Sequence, residues 1–259
     1  MLRTRYLPLI SLNLLGVFAF FWPFLIPTLH NEQFRKLFNA ADSKWWSLFI
    51  LPIAFLIFLK DSDSAIAKSN LVSKRVALLG VLIALACVMR FLGAGAVGIE
   101  PIWFLLIIVG FIFGSKFGFL FGNLALLVSG IFIGGFGPWL PFQMLAAGWI
   151  TAGAGLIKKI TKINHVRLLL IPYSIFASFL FGLLMDLQLW PWLLGSQSQI
   201  AFSLNQSAYE NLKHFLFFHF TTSLAWDVPR AILTAALIFF SGNLLISSLQ
   251  RTAIRLQLN

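Results

Sequence analysis

The sequence predicts an all-α polytopic membrane protein of about eight transmembrane helices, with two extra spans ahead of a six-helix body. Three observations support this fold class. Hydrophobic residues fill 59% of the 259 positions and charged residues only 10%, where a soluble domain carries about 25% charged residues; the mean hydropathy is +0.91. Apolar runs of bilayer-spanning length recur along the chain. Lys and Arg gather in the short segments between alternate runs, as in cytoplasmic loops.

The spans lie at roughly 6–27, 45–59, 76–93, 101–114, 116–133, 138–157, 167–189 and 219–249. The first follows a basic start, as a signal peptide would, but LRTRYLPLISLNLLGVFAFFW runs into bulky residues with no A-x-A-like cleavage site, so it is expected to be retained. The runs 45–59 and 101–114 are short and need thin bilayer or covering helices. The last run is too long for one straight span. Either Pro229 kinks it, or a lip helix at 212–224 precedes a span that begins near Asp227. The polar segment 60–75, KDSDSAIAKSNLVSKR, separates the prefix (1–60) from the body, with 61–75 as a cytoplasmic linker and 76–259 as the six-span body.

Orientation follows from the basic residues. Arg3, Arg5, Lys60, Lys68, Lys74, Arg75, Lys116, Lys158, Lys159, Lys162, Arg167, Arg251 and Arg255 fall on one side, which places both termini in the cytoplasm of a multi-pass cell-membrane protein. The formal charge of +11 is therefore a topology signal, and no nucleic-acid partner is expected. The single cysteine, Cys87, lies inside an apolar run and leaves no disulfide or metal cluster to consider.

The most informative segment is 130–155, GIFIGGFGPWLPFQMLAAGWITAGAG. Irregular backbone at bilayer depth survives only where it is buried in protein or lines a cavity, and intramembrane polar groups beside it are functional candidates. At 1.5 Å per residue, Arg90 lies about 21 Å from the cytoplasmic start of its span, Asp227 and Arg230 about 33 and 28 Å from Leu249, and Gln143 about 7–8 Å below the outer end of its helix. With Glu100, these groups reach the outer third of the membrane from four helices. Trp103, Trp139, Trp149, Trp190, Trp192 and Trp226 crowd the same level. An aromatic belt accounts for most of the tryptophans, but Trp139 and Trp226 adjoin a break or a charge. Arg90, Glu100, Trp103, Trp139, Phe142, Gln143, Trp226, Asp227 and Arg230 are the candidate substrate-binding residues, and substituting Arg230 or Gln143 is expected to weaken binding in a folded protein. Salt bridges among Arg90, Glu100, Asp227 and Arg230 are an equally open reading, since a buried charge needs a partner.

Two small-residue series stand out. Gly110, Gly114, Gly118 and Gly122 straddle an expected turn at Ser115-Lys116 and read as internal packing. Ala77, Gly80 and Ala84 form a stripe near the cytoplasmic side, for which spacing alone favours internal packing over a partner surface. Catalytic templates fail: H-E-x-x-H, G-x-S-x-G and the P-loop do not occur. No catalytic residue, metal or cofactor is expected.

The runs VALLGVLIALACVMRFLGAG, IVGFIFGSKFGFLFGNLALLVSGIFIGGFGPWLPFQMLAAGWITAGAGLI and SLAWDVPRAILTAALIFFSG resemble substrate-binding (S) components of energy-coupling factor (ECF) vitamin transporters, most closely those of actinobacteria, over roughly 74–252. The resemblance implies a six-helix body with an outward-facing pocket shaped by loops 93–100, 134–138 and 190–218. It also implies that Ala77, Gly80 and Ala84 dock on a transmembrane coupling (T) subunit, that two ATPases complete the complex, and that the loaded protein topples in the lipid bilayer. It points to a vitamin-like small molecule, with cobalamin or a related corrinoid first, and departs from the family in its two N-terminal spans. The alternatives are an intramembrane enzyme acting on an isoprenoid or lipid and a self-contained secondary transporter.

Overall fold

A computed structural model describes residues 7–29, 33, 72–94, 96–160, 166–194 and 198–256. Among them the chain is helices joined by turns. This follows from the solvent, because a backbone in hydrocarbon must satisfy its own hydrogen bonds. Among the described residues six helices are long and apolar enough to cross a membrane. The expected second span at 45–59 lies outside the described residues.

The chain forms two compact units: Met1–Lys68, Gly137–Phe142 and Leu183–Leu224 in one, and Ser69–Phe136, Gln143–Gly182 and Ala225–Asn259 in the other. The first unit contains α1 (Leu7–Leu25), continued by a short 3-10 turn at Ile26–Thr28. Leu12, Gly16, Ala19 and Phe20 share its buried face, at the spacing of one helical stripe. Leu7, Ile10, Leu14 and Val17 are exposed, as suits lipid. α1 packs on α7 (Ala208–Thr222). Ser207 N-caps α7: its hydroxyl accepts from the Glu210 N–H at 3.1 Å.

An aromatic cluster holds these pieces together. Trp22 packs against Trp192 and Phe202, and Phe24 against Trp190 and Phe215. Trp190 is completely buried and donates from Nε1 to the Ile200 carbonyl at 2.8 Å. An aromatic belt does not account for Trp190; it is core.

In the second unit, α2 (Val72–Leu92) packs on α3 (Ile102–Phe113) and α4 (Ser115–Ser129). The twelve-residue α3 is too short to cross a bilayer unaided, and Ile102 through Ile112 are all buried. A helix that is apolar all round is a buried helix, so neighbouring helices cover it, as its length requires. Gly114 (φ +85°) turns the chain from α3 into α4. Gly110, Gly118 and Gly122 lie against Thr151 and Ala147 of α5 (Leu140–Ile160), where a Cβ would collide with backbone. The glycine series is internal packing. α6 (Val166–Leu193) and α8 (Leu224–Arg255) complete the long helices.

The long terminal run is thus two helices, α7 and α8. The lip-helix expectation holds with bounds shifted by a few residues: α8 begins at Leu224 and carries Pro229 near its start. There a missing N–H matters least, because the first-turn donors lack intrahelical partners anyway.

Candidate functional site

The polar cluster of the second unit is assembled at helix ends. Arg90 stands in the last turn of α2. Glu100 ends the loop that follows, immediately before α3. Ser129 closes α4, Gln143 lies in the first turn of α5, and Asp227 and Arg230 lie in the first two turns of α8.

The break at 130–136 explains one half of the cluster. α4 does not simply stop; it opens into a π-helical turn over Gly130–Gly134, followed by Gly135 at φ +68°. Such turns interrupt the regular carbonyl ladder. Arg90 reaches this point. Its Nη1 donates to Ser129 Oγ at 2.8 Å and more distantly to the Leu126 carbonyl at 3.5 Å, and its Nη2 donates to Gln143 Oε1 at 3.3 Å. Each of these acceptors is formally neutral.

The other half is a charged triad. Arg230 Nε donates to Glu100 Oε2 at 2.5 Å, while its Nη1 donates to Asp227 Oδ1 at 2.7 Å and to the Ser178 carbonyl of α6 at 3.2 Å. The Trp103 indole N–H donates to the same Glu100 oxygen at 3.0 Å. Phe181 lies under the guanidinium, 5.0 Å from ring centre to Arg230 Cζ, a distance suited to cation–π attraction. The Asp227 side chain is fully buried and that of Arg230 is 5% exposed, whereas Glu100 keeps 26% exposure.

Two glycines make this fit possible. A Cβ on Gly182 would fall on the Asp227 carboxylate, so α6 must be bare there. Gly98 adopts φ +67°, and its Cα lies against the Trp226 carbonyl and Pro229, which sets residues 96–100 on the start of α8.

Of the residues singled out from sequence, Arg90, Glu100, Trp103, Gln143, Asp227 and Arg230 come together in the second unit. Trp103 is 2% exposed, so its indole N–H is its only polar contribution. Trp226 belongs to the same unit and is exposed. Trp139 and Phe142 belong to the first unit, where Trp139 folds over Gly137 and the buried Phe142 meets Phe20 edge-on at 5.0 Å. Ser129, Ser178, Phe181 and Gly182 were not singled out. Each looks like an ordinary helix residue in sequence, and only the fold reveals its partner.

Ala77, Gly80 and Ala84 lie along one exposed face of α2, and a Cβ on Gly80 would meet nothing within 4 Å. Packing inside the described residues does not explain the stripe. Among the described residues no group of His, Cys, Asp and Glu is arranged to hold a metal.

A family model described as "ECF transporter, substrate-specific component" matches residues 74–248. No curated protein and no solved structure matches the chain.

Proposed function

Because the chain belongs to the family of substrate-specific components of ECF transporters, we propose that it is the substrate-binding subunit of an ATP-driven micronutrient importer. It takes a vitamin from outside into a pocket around the polar cluster and delivers it by toppling against a coupling subunit. The observation that carries this reading is the meeting of Arg90, Ser129, Gln143, Glu100 and Arg230 at the ends of α2, α4, α5 and α8. Intramembrane charge is rare and marks substrate paths. Among the nine candidates, Arg90, Gln143, Glu100 and Trp226 present polar atoms or exposed rings to a ligand. Trp103, Asp227 and Arg230 hold those groups in place.

The exposed stripe Ala77, Gly80 and Ala84 is the docking face for the transmembrane coupling subunit. Its support is twofold: small residues allow close helix approach in lipid, and among the described residues Ala77, Gly80 and Ala84 are exposed, with nothing within 4 Å of a Cβ placed on Gly80. Two ATPase subunits supply the energy, and this chain performs no catalysis itself. Both termini are cytoplasmic on the distribution of Lys and Arg. Residues 1–60 are an extension, 61–75 a linker and 76–259 the transport body. Cobalamin or a related corrinoid is the first substrate to try, on the strength of the resemblance in residues 74–252.

The test is uptake into proteoliposomes. Radiolabelled cyanocobalamin and other vitamins are offered to the chain alone and to the chain with coupling subunit, ATPases and ATP. Accumulation that needs all four supports the reading. Accumulation by the chain alone identifies a secondary transporter, and turnover of a lipid without transport identifies a membrane enzyme.

A further inference from the structure

The two arginines of the cluster are in opposite electrostatic situations. Arg230 is held between two carboxylates, Glu100 and Asp227. Arg90 makes no ion pair among the described residues, and its hydrogen-bond acceptors are a hydroxyl, an amide and a carbonyl. The end of α4 offers Arg90 a helix dipole worth about half a charge at most, through a carbonyl contact at the 3.5 Å limit. Glu100 lies within Coulombic reach of Arg90 without touching it. Its Oε2 already receives Arg230 and Trp103, so Oε1 is the oxygen left to face a newcomer.

A guanidinium at membrane depth, fixed by two neutral side chains and half-buried, is a preorganised seat for an anion. A planar fork of this kind matches carboxylate and phosphate oxygens. We propose that Arg90 binds an anionic group, a carboxylate or phosphate, of the transported substrate, with Ser129 and Gln143 orienting the guanidinium and Glu100 accepting a hydrogen bond from the same molecule. This rests on the reading of the chain as a substrate-binding component and narrows its substrate class. Vitamins bearing an acid or a phosphodiester fit; purely cationic or neutral ones do not. A phospholipid headgroup carries the same chemistry and is the rival occupant.

The experiment uses the purified full chain in nanodiscs of phosphatidylcholine. Affinity is measured for three pairs that differ at the anion, biotin and biotinamide, pantothenate and pantothenol, thiamin monophosphate and thiamin, with cyanocobalamin measured beside them on the wild type and Arg90→Gln. The expected result is one pair whose anionic member binds about 10- to 100-fold more tightly, the effect of a charge-assisted hydrogen bond. Arg90→Gln erases that difference. Gln143→Glu, which supplies an internal carboxylate beside Arg90, also abolishes binding of the anionic member while the thermal transition is kept, so a folding defect in Arg90→Gln does not decide the matter. Equal affinity within every pair that binds, or unchanged affinity in both variants, overturns the anion seat and leaves the transporter reading standing. No binding of any vitamin, with phospholipid retained one-to-one through Arg90, overturns both.

Discussion

Removing the Arg230 side chain leaves the buried Asp227 carboxylate and the part-exposed Glu100 carboxylate without their shared cation, and the size of that effect is the sharpest consequence of the triad. Asp227 is completely buried and Glu100 three-quarters so, and Arg230 contacts them at 2.7 and 2.5 Å. Breaking a buried pair by deleting one member costs about 3–5 kcal/mol, because the partner's charge is left uncompensated. Arg230→Ala is therefore expected to lower stability by about 3–5 kcal/mol, measured by urea or SDS titration in micelles and followed by tryptophan fluorescence. Asp227→Asn combined with Arg230→Gln removes both charges and is expected to lose less than the sum of the singles, with a coupling of about 0.5–3 kcal/mol. Lys213→Ala serves as control, since the Lys213–Glu210 pair is half-exposed on both sides, and it should leave the midpoint unchanged. If Arg230→Ala loses less than about 1 kcal/mol, the range of a solvated pair, the triad is not the clamp described and its carboxylates are hydrated or protonated.

Three further outcomes follow from particular contacts. Gly182→Ala forces the Asp227 carboxylate away from α6 and should cost about 1–3 kcal/mol, the range for overpacking; wild-type stability would show that the helix yields without penalty. Trp22→Ala opens the aromatic cluster that joins α1 to Trp192 and Phe202, and a loss of about 3–5 kcal/mol is expected, with faster amide exchange over 198–222; exchange confined to α1 would show that α1 does not brace that segment. Ala84→Trp should leave vitamin binding intact and abolish ATP-driven uptake, and persistent uptake would remove α2 as the docking face.

Much of the fold was legible in sequence because the bilayer allows so few solutions. Length and hydropathy located the described spans, and the glycines at 110–122 indicated close packing by their spacing. The break at Gly130–Pro138 was visible as composition, but its form was not, since a π-helical turn leaves no residue signature distinct from an ordinary glycine-rich stop. The site was legible as depth and not as pairing. Counting 1.5 Å per residue brought Arg90, Glu100, Gln143, Asp227 and Arg230 to one level, yet gave no rotation about each helix axis. Arg230, for which ligand contact and an internal salt bridge were both open, is paired with Glu100 and Asp227 and donates to the Ser178 carbonyl. Arg90, for which an internal bridge to Glu100 was equally open, is the arginine without a carboxylate contact. The exposed face of Ala77, Gly80 and Ala84 was unreadable for the same reason: spacing defines a stripe, and only the neighbouring helices decide whether it is covered.

The central claim, that this chain holds a small anionic nutrient at Arg90, is tested most directly by native mass spectrometry of the protein purified from its own membrane. The expected spectrum contains one small molecule per chain, bearing a carboxylate or phosphate, present in the wild type and missing from Arg90→Gln. A bound neutral molecule retained equally by both proteins, or phospholipid alone, contradicts the claim.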